Sequence, residues 1–299
     1  MKIKVGTDCS GIEAPIEALI QLGVEFEHVF SSEIDKFAIQ SIKANYNPGI
    51  LYGDIMKRDV RDVPYVDLYV AGFPCQPFSS VGKKLGFKDT RGSVFFACTE
   101  YIRTKRPKMF ILENVKHILH LDKGVVWKTI LNELSKIGGY TIEWRLLNTC
   151  DYGIPQNRPR VYIIGRLEGR ICWPIKVECK NIHDFIDKED KVAENSNTWS
   201  KHKHNVPADA VFVNVNFIFK KSYKQSNKIC PALLAKSRIW NCINHRHANV
   251  KECLMLQGFQ TSFKQVVSKN QMLKQIGNSM SVNVIKELIA HNLLLNYTY

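Results

Sequence analysis

Near its start the chain reads Lys2-Ile3-Lys4-Val5-Gly6-Thr7-Asp8-Cys9-Ser10-Gly11-Ile12-Glu13, and this stretch decides the fold. Residues 2–7 predict a β-strand, and residues 14–22, whose apolar side chains recur with helical spacing, predict a helix. A tight turn at Gly11 between the strand and the helix lets the backbone approach a ligand closely. The stretch therefore predicts the first βα unit of an α/β sheet, with a ligand-binding turn at its end.

Strand-like and helix-like segments continue to alternate through the first half of the chain. The further predicted strands are residues 27–32, 67–71, 109–113, 141–147 and 160–165. The predicted helices are residues 37–45, 94–103 and 125–137. Two of the strands, DLYVA and MFILE, are continuous apolar runs, which is typical of strands covered on both faces. The alternation predicts a doubly wound, mostly parallel, Rossmann-like α/β sheet.

The composition of the chain changes near Glu168. From there to about Asn249 the sequence is polar and irregular, rich in Lys, Asn and His, with short β-like runs such as residues 210–219. Helices are predicted again at residues 250–256 and 282–295. We therefore expect a second, small, irregular and β-rich domain inserted before the final helices.

The bulk composition indicates an intracellular protein with a polyanionic partner. The net charge of +14 over 299 residues suits nucleic acid, although a well-solvated lysine-rich surface would give the same balance. No apolar run is long enough to span a bilayer, and the N-terminus has no secretory pattern. Nine scattered cysteines without a C-x-x-C pair indicate reduced thiols. We expect a protein that is not secreted and has no membrane partner, in the cytoplasm or nucleoid, or in a host compartment if it is viral.

Acidic residues follow the ends of two strands beyond the first. Glu33 comes roughly 20 residues after the glycine turn, where a carboxylate accepts hydrogen bonds from ribose hydroxyls. Asp54, with its apolar neighbour Ile55, is suited to the amino group and ring of an adenine. Solvated acids beside an ordinary turn are the alternative, because a single glycine is not a G-x-G-x-x-G fingerprint.

A cysteine between two prolines follows the strand at residues 67–71, in Gly72-Phe73-Pro74-Cys75-Gln76-Pro77-Phe78-Ser79. Ligands bind at the carboxyl ends of parallel strands, so Cys75 is expected at the cleft rather than in the core. The neighbouring strand ends at Glu113, and a thiol beside a carboxyl group makes a nucleophile with an acid/base partner. A buried, inert thiol is the alternative. The following residues 79–91 predict a mobile basic loop able to contact phosphates.

Two further motifs carry candidate site residues. The stretch Tyr152-Gly153-Ile154-Pro155-Gln156-Asn157-Arg158-Pro159-Arg160 brings two arginines to the start of a strand. They predict either a structural ion pair or a clamp on a substrate carbonyl and phosphate. In Gln275-Ile276-Gly277-Asn278-Ser279-Met280, Ser279 is a candidate N-cap for the terminal helix.

These motifs, taken in order, resemble those of the cytosine-5 DNA methyltransferase family. The stretches that carry the resemblance are Phe73-Pro74-Cys75-Gln76-Pro77-Phe78-Ser79, Glu113-Asn114-Val115, Gln156-Asn157-Arg158-Pro159-Arg160 and Gly277-Asn278-Ser279. The resemblance covers nearly the whole chain apart from about residues 169–228. It implies a Rossmann-like class I methyltransferase domain, formed by residues 1–172 and 250–299, and a target-recognition domain at residues 173–249.

The resemblance also implies a reaction and the residues that perform it. The enzyme would methylate carbon 5 of cytosine in a short DNA sequence, using S-adenosylmethionine and releasing S-adenosylhomocysteine. Cys75 would add to carbon 6 of a cytosine rotated out of the duplex. Glu113 would donate to ring N3, while Arg160, helped by Arg158, would hold the base. We expect a monomer acting on double-stranded DNA, in restriction-modification or a related role.

The cofactor and DNA contacts implied by the resemblance are spread along the chain. The implied S-adenosylmethionine pocket comprises Ser10, Gly11, Ile12, Glu33, Ile34, Asp54, Ile55, Pro74, Val94 and Asn278. The implied DNA contacts are Gln76, Ser79, Lys83, Lys84, Lys88, Arg91, Lys201 and Lys203. This chain departs from the family at Cys9, where family members usually carry Phe, and at Glu13 and Ala14, where they usually carry Gly-Gly.

Three other interpretations fit parts of the sequence. The tRNA-methylating branch of the same fold usually has Thr in place of Ser79 and a Cys-Phe-Thr tripeptide, and neither is present. A catalytically inactive DNA-binding protein would not need the intact cysteine, glutamate and arginine motifs. A zinc cluster is suggested by the composition of one region, but its spacing fits no standard ligand pattern and we predict no metal. The residues of that region are Cys242, His245, His247 and Cys253.

Overall fold

The protein is described here by a computed structural model, which covers residues 2–74, 93–190, 192–218 and 228–294. The strands in these ranges are β1 (Ile3–Asp8), β2 (Phe26–Ser32), β3 (Ile50–Tyr52), β4 (Leu68–Ala71), β5 (Met109–Val115), β6 (Thr141–Asn148), β7 (Gln156–Asn157), β8 (Pro159–Arg166), β9 (Phe212–Asn214), β10 (Cys230–Pro231), β11 (Ile239–Asn241) and β12 (Arg246–His247). The α-helices are α1 (Ala14–Leu22), α2 (Lys36–Asn45), α3 (Ser93–Lys105), α4 (Val125–Ser135), α5 (Asn197–His202), α6 (Val250–Gln257), α7 (Lys269–Asn278) and α8 (Val282–Ile289).

Seven of the strands form one sheet, in the order β3-β2-β1-β4-β5-β8-β6. Strand β8 runs antiparallel to β5 and β6, while the other neighbours pair in parallel. The crossovers between the parallel strands pass through helices, as parallel pairing requires. The predicted Rossmann-like, doubly wound and mostly parallel sheet is therefore confirmed.

Two hydrophobic clusters cover the opposite faces of this sheet. Because side chains alternate along a strand, Leu68 and Val70 belong to one cluster while Tyr69 and Ala71 belong to the other. The first cluster includes side chains of α1 and α8, and the second includes side chains of α3 and α4. All four residues of β4 are fully buried, which explains the continuous apolar run in the sequence.

The polar region contains a small antiparallel sheet of β9, β11 and β12. Its own apolar cluster centres on Trp240, whose indole stacks on that of Trp199 with ring centroids 5.5 Å apart. The β-like run at residues 210–219 is a strand only over Phe212–Asn214, because the chain turns after Asn214. Phe219, the last residue of that run, lies outside the described ranges.

The prediction that Ser279 caps the terminal helix is wrong. Ser279 is the C-cap of α7, and its N–H still donates to the carbonyls of Gln275 and Ile276. The residue before α8 is Ser281, whose hydroxyl lies 2.6 Å from that of Thr149 instead of capping the helix. The α-helical part of the terminal helix ends at Ile289, and a π-helical turn follows over Ala290–Leu294.

None of the helices in the described ranges combines the length and apolar composition that a bilayer crossing requires.

Candidate active site

A cavity of about 590 Å³ opens at the carboxyl ends of β1, β2, β4 and β5, and it is called the cleft below. This is the edge of an open α/β sheet where ligands bind, and the volume is in the range of small-molecule sites. Most of the residues implied for the cofactor line the cleft. They are Gly11, Glu33, Ile34, Asp54, Ile55, Pro74, Val94 and Asn278.

The glycine turn and the end of β2 are joined by one carboxylate. Gly11 adopts a left-handed φ of 57°, and its N–H donates to Glu33 Oε2 over 2.8 Å. Glu33 Oε1 accepts the N–H groups of Ile34 and Asp35 at 2.8 and 2.9 Å. Burial raises the pKa of Glu33, although these three hydrogen bonds oppose the rise. The turn and the strand end are therefore held as one unit.

An apolar surface lies beside this carboxylate. The side chain of Ile34 is 74% exposed and lines the cleft, whereas Ile55 is nearly buried on the cleft wall. Asp54 begins the 3₁₀ turn Ile55–Lys57 and accepts the N–H of Met56 through Oδ1 at 2.9 Å. The apolar side chains of Ile34 and Ile55 and the carboxylate of Asp54 are suited to bind a planar ring that has polar edges.

Two implied cofactor residues lie away from the cleft. Ser10 lines a smaller cavity of about 40 Å³ that shares Cys9, Gly11 and Asn278 with the cleft. The side chain of Ile12 is fully buried in the hydrophobic cluster on the α1 face of the sheet, and it lines neither cavity.

A largely buried acid and a buried arginine contact each other on the side of the cleft formed by β5 and β8. Glu113 Oε1 lies 3.2 Å from Arg160 Nε, and the two side chains are 12% and 9% exposed. The antiparallel pairing of β5 with β8, in which Val115 opposes Arg160, brings them together. Burial raises the pKa of Glu113, while Arg160 and Arg158 partly oppose the rise. Such an acid retains its proton to higher pH than an exposed glutamate and can donate it to a ligand.

Arg158 holds the wall of the cleft together. Its guanidinium donates to the carbonyls of Gly277 and Ser279 at 3.1 and 2.6 Å, and also to the carbonyl of Leu233. A Cβ on Gly277 would lie 2.3 Å from the carbonyl carbon of Leu234, so this approach requires glycine. Burial lowers the pKa of Arg158 to about 9. These contacts favour a positioning role over the direct hold on a base that the resemblance implies.

Gln275 is a cleft residue that the sequence analysis missed. Its Oε1 accepts the hydroxyl of Ser41 at 2.7 Å, and its Nε2 has no hydrogen-bond partner among the described residues. The side chain is 4% exposed. The signal available was its place two residues before Gly277, in the motif that precedes the terminal helix.

The candidate nucleophile lies outside the described residues, together with the contacts of the basic loop. These residues are Cys75, Gln76, Ser79, Lys83, Lys84, Lys88 and Arg91. Pro74, which precedes Cys75 in the chain, lines the cleft. Asn114 Nδ2 donates to the carbonyl of Phe73 at 2.7 Å and so ties the exit of β4 to the end of β5.

The remaining candidates lie elsewhere on the surface. Lys201 is exposed on α5 and Lys203 is exposed on the turn Lys203–Asn205, and neither lines the cleft. Among the described residues, no group of three or more His, Cys, Asp or Glu side chains is placed to hold a metal ion.

The departure at Glu13 creates a buried carboxyl group beside the glycine turn. Glu13 is fully buried with a left-handed φ of 62°, and its Oε1 accepts the hydroxyls of Thr7 and Ser31 at 2.7 and 2.6 Å. Its Oε2 has no partner within the described ranges. Burial raises the pKa of Glu13 to about 7.

Replacing Glu13 with glutamine should stabilise the protein at alkaline pH. Because the folded-state pKa of Glu13 is raised, its favourable contribution is complete below the unfolded pKa and is lost as the pH rises through about 7. The Glu13→Gln variant cannot ionise, so its advantage should grow to roughly 3 kcal/mol by pH 8.5. Urea unfolding between pH 5 and 8.5 measures this difference. Glu133→Gln, at an exposed ion pair with Lys136, is the control, and a pH-independent difference for Glu13→Gln would contradict the assignment.

The fold and the cleft together define a class of protein. A mostly parallel seven-stranded sheet with an antiparallel strand beside its edge, and a cleft at its carboxyl ends, is that of a Rossmann-like methyltransferase. Within that class the chain belongs to the family described as C-5 cytosine-specific DNA methylase, which it matches over residues 8–293. The predicted family and the predicted DNA cytosine-5 methyltransferase activity are confirmed, and the family implies S-adenosylmethionine and DNA as its reactants.

Individual relatives support this placement. The chain is 37% identical over 282 residues to Type II methyltransferase M1.ScrFI of Lactococcus lactis subsp. cremoris, covering 86% of this chain and 69% of that protein. It is 36% identical to Type II methyltransferase M.NlaX of Neisseria lactamica, covering 87% and 86% of the two chains. The crystal structure of S. pombe Dnmt2 methyltransferase shares the fold with a TM-score of 0.75 at 18% identity, over the whole of both chains.

Proposed function

We propose that this enzyme methylates carbon 5 of cytosine in double-stranded DNA through a transient bond between Cys75 and carbon 6 of the base. One observation carries the proposal. The Glu113–Arg160 pair lines the same cleft as Pro74, which precedes Cys75, and as the acidic and apolar groups suited to an adenosine. A nucleophile, a proton donor and a cofactor pocket would then share one site.

The described cleft residues fit S-adenosylmethionine. Glu33 Oε2, which accepts only the N–H of Gly11 among the described residues, can accept a further hydrogen bond from a ribose hydroxyl. The exposed Ile34 offers an apolar face for the adenine, and Asp54 lies beside Ile55 to accept from the adenine amino group. Asn278 lines both the cleft and the smaller cavity and offers an amide to the polar end of the cofactor. When bound, the cofactor supplies an electrophilic methyl group on its sulfonium.

Arg160 and Glu113 are proposed to act on the cytosine. Arg160 would hold the base through its guanidinium, and Glu113 would give its proton to N3 as electron density moves into the ring. The raised pKa of Glu113 suits this role, because the carboxyl group must be protonated when the base arrives. Arg158 would act indirectly, by holding the carbonyls of Leu233, Gly277 and Ser279 at one side of the cleft.

Cys75 is proposed to make carbon 5 reactive. Its thiolate would add to carbon 6, and the electron pair of the broken double bond would make carbon 5 a nucleophile toward the methyl group. Loss of the carbon-5 proton to solvent would then expel the thiolate, and the N3 proton would return to Glu113. Carbon 6 is inaccessible in a base stack, so the cytosine must rotate out of the duplex at a cost of a few kcal/mol.

Residues 173–249 are proposed to form the target-recognition domain. Their own small apolar cluster and antiparallel sheet support this assignment, although other apolar residues of the region, such as Phe212 and Ile239, pack in the hydrophobic cluster on the α1 face of the main sheet. Lys201 and Lys203 are exposed there and are proposed to contact DNA phosphates, together with the basic residues between 76 and 91. The relatives are named Type II methyltransferases, which supports a role in restriction-modification. We propose that the enzyme acts as a monomer.

Expression in a cell that lacks cytosine methylation tests the proposed function. Sequencing of modified bases should find 5-methylcytosine within one short DNA motif and none in cells carrying the empty vector. Sequencing of tRNA from the same cells should find no added 5-methylcytosine. Modified tRNA with unmodified DNA would favour the RNA-methylating alternative, and a folded protein that modifies neither would refute the proposal.

A further inference from the structure

We propose that Arg58 is a positioning residue. It fixes the relative positions of three segments that line the cleft, namely the ends of β1 and β2 and the turn Ile55–Lys57, and so sets the affinity for S-adenosylmethionine. This inference rests on the proposed use of the cleft for that cofactor. Arg58 itself does not line the cleft, so it would act through the residues that it ties together.

The guanidinium of Arg58 joins the ends of two strands to a third segment. Its Nη1 and Nη2 donate to Asp8 Oδ1 and Oδ2 at 2.7 and 2.5 Å, and Nη1 also donates to the hydroxyl of Ser32. Asp8 is the last residue of β1, and Ser32 is the last residue of β2. Arg58 follows directly after the 3₁₀ turn Ile55–Lys57.

Each of the three tied segments carries a cleft residue next to the contact. Cys9 follows Asp8, Glu33 follows Ser32, and Ile55 lies three positions before Arg58. The cofactor would bind across these segments, with its ribose at Glu33 and its adenine beside Ile55. A displacement of about 1 Å between groups that position a substrate can lower the reaction rate by about 100-fold, and we expect a comparable loss of cofactor affinity when these segments shift.

The surroundings of Arg58 fix its orientation. The Arg58 side chain is 8% exposed and that of Asp8 is fully buried. The rings of Phe30, Tyr52 and Tyr101 lie 5.3, 5.2 and 5.9 Å from the guanidinium carbon. Tyr69 donates its hydroxyl to Asp8 Oδ2 at 2.6 Å, which satisfies the carboxylate further. The guanidinium of Arg58 contacts both oxygens of Asp8 and lies over aromatic rings, and the ammonium group of a lysine cannot reproduce both contacts.

A purely structural role and a positioning role for Arg58 lead to different expectations. Replacing a buried ion pair as a whole is often neutral, whereas removing one partner leaves an uncompensated charge. A purely structural Arg58 therefore predicts that removal of both charges restores stability and cofactor affinity together. If Arg58 is a positioning residue, removal of both charges should restore the stability of the fold but not the cofactor affinity, because no side chain then joins the ends of β1 and β2.

Calorimetric titration of the full-length chain with S-adenosylhomocysteine distinguishes the two. Arg58→Met should raise the Kd by about 10- to 100-fold, and Arg58→Lys should also weaken binding because it keeps the charge and loses the fork. The double variant Asp8→Asn/Arg58→Met should recover the Tm lost by the single variant and keep the raised Kd. The control is Arg61→Met, three residues after Arg58. It removes an exposed ion pair with Asp59 and should leave the Kd unchanged.

Steady-state kinetics supply a second readout. The KM for S-adenosylmethionine should rise in Arg58→Lys and in the double variant, whereas kcat at saturating cofactor should stay near the wild-type value. A double variant that regains the wild-type Kd and Tm together would overturn the inference, as would a wild-type Kd in the Arg58 variants. Failure of the wild-type protein to bind S-adenosylhomocysteine would instead overturn the proposed function.

Discussion

The Cys75→Ala variant should lose methyl transfer while retaining DNA and cofactor binding. Carbon 5 of cytosine is a poor nucleophile unless a thiolate has added to carbon 6, so alanine at this position removes the route to the reaction. We expect kcat to fall on the order of 10⁶-fold, the size of loss found when a covalent nucleophile is removed from an enzyme. Transfer of a radiolabelled methyl group to DNA measures this loss.

The matched control for this variant is Cys150→Ala. Cys150 is a free, half-buried cysteine that does not line the cleft. Because Cys150 lies away from the cleft, its replacement should leave turnover close to that of the wild type. A mobility-shift assay should show that Cys75→Ala binds DNA as the wild type does. Residual turnover of the Cys75 variant near the wild-type level would remove Cys75 from the nucleophile role.

The Glu113→Gln variant should show the second largest loss. The amide can donate a hydrogen bond to N3 but cannot transfer a proton, so the electron density that builds in the ring is no longer neutralised. A general acid contributes about 10²- to 10⁴-fold, and we expect kcat to fall by that amount with little change in the Kd for S-adenosylhomocysteine. Single-turnover kinetics, with the enzyme in excess over DNA and saturating S-adenosylmethionine, separate this loss from any effect on binding.

The pH profile provides a sharper test of the same residue. Burial raises the pKa of Glu113, so the wild-type rate should decline as the pH rises through that value and the proton is lost. The Glu113→Gln rate should lack this decline. Glu133→Gln serves as the control for amide substitution on an exposed ion pair. A Glu113→Gln variant with the wild-type kcat would exclude proton donation by this residue.

The sequence was sufficient to predict the elements that position the cleft. Residues 14–22 were predicted as a helix and form α1 with the same bounds. The end of β2 was predicted correctly at Ser32, whereas β5 continues past the predicted end at Glu113 to Val115. Glu33 and Glu113 nevertheless line one cleft, as predicted from the strand order. These predictions depend on hydrophobic periodicity and on the geometry of parallel sheets, which are local or general properties.

Contacts between distant segments could not be predicted in the same way. Asp8 and Arg58 are 50 residues apart and form their pair only when the sheet has assembled. Arg158 donates hydrogen bonds to three carbonyls at one side of the cleft. These contacts depend on the close packing of Gly277 against Leu234, which the sequence alone does not indicate. Ile12 was implied as a cofactor residue, but the turn that places Gly11 at the cleft directs the next side chain into the core.

The error at Ser279 has a local cause. Helix α7 is mostly polar and has few apolar positions, so residues 269–278 were not predicted as a helix. Its N-terminal signal was nevertheless present, because Ser268 caps the helix by accepting the N–H of Gln271 three positions later. Recognition of that pattern would have moved Ser279 from the start of one helix to the end of another.

The central claim is that Cys75 bonds to carbon 6 of the target cytosine, and trapping with 5-fluorocytosine tests it most directly. A duplex carrying 5-fluorocytosine at the mapped target position is incubated with the enzyme and S-adenosylmethionine, then analysed on a denaturing gel and by peptide mass spectrometry. Fluorine cannot leave as the carbon-5 proton does, so we predict a stable complex of one protein and one duplex, joined through Cys75. An active enzyme that yields only non-covalent complex, or an adduct at another residue, would contradict the account.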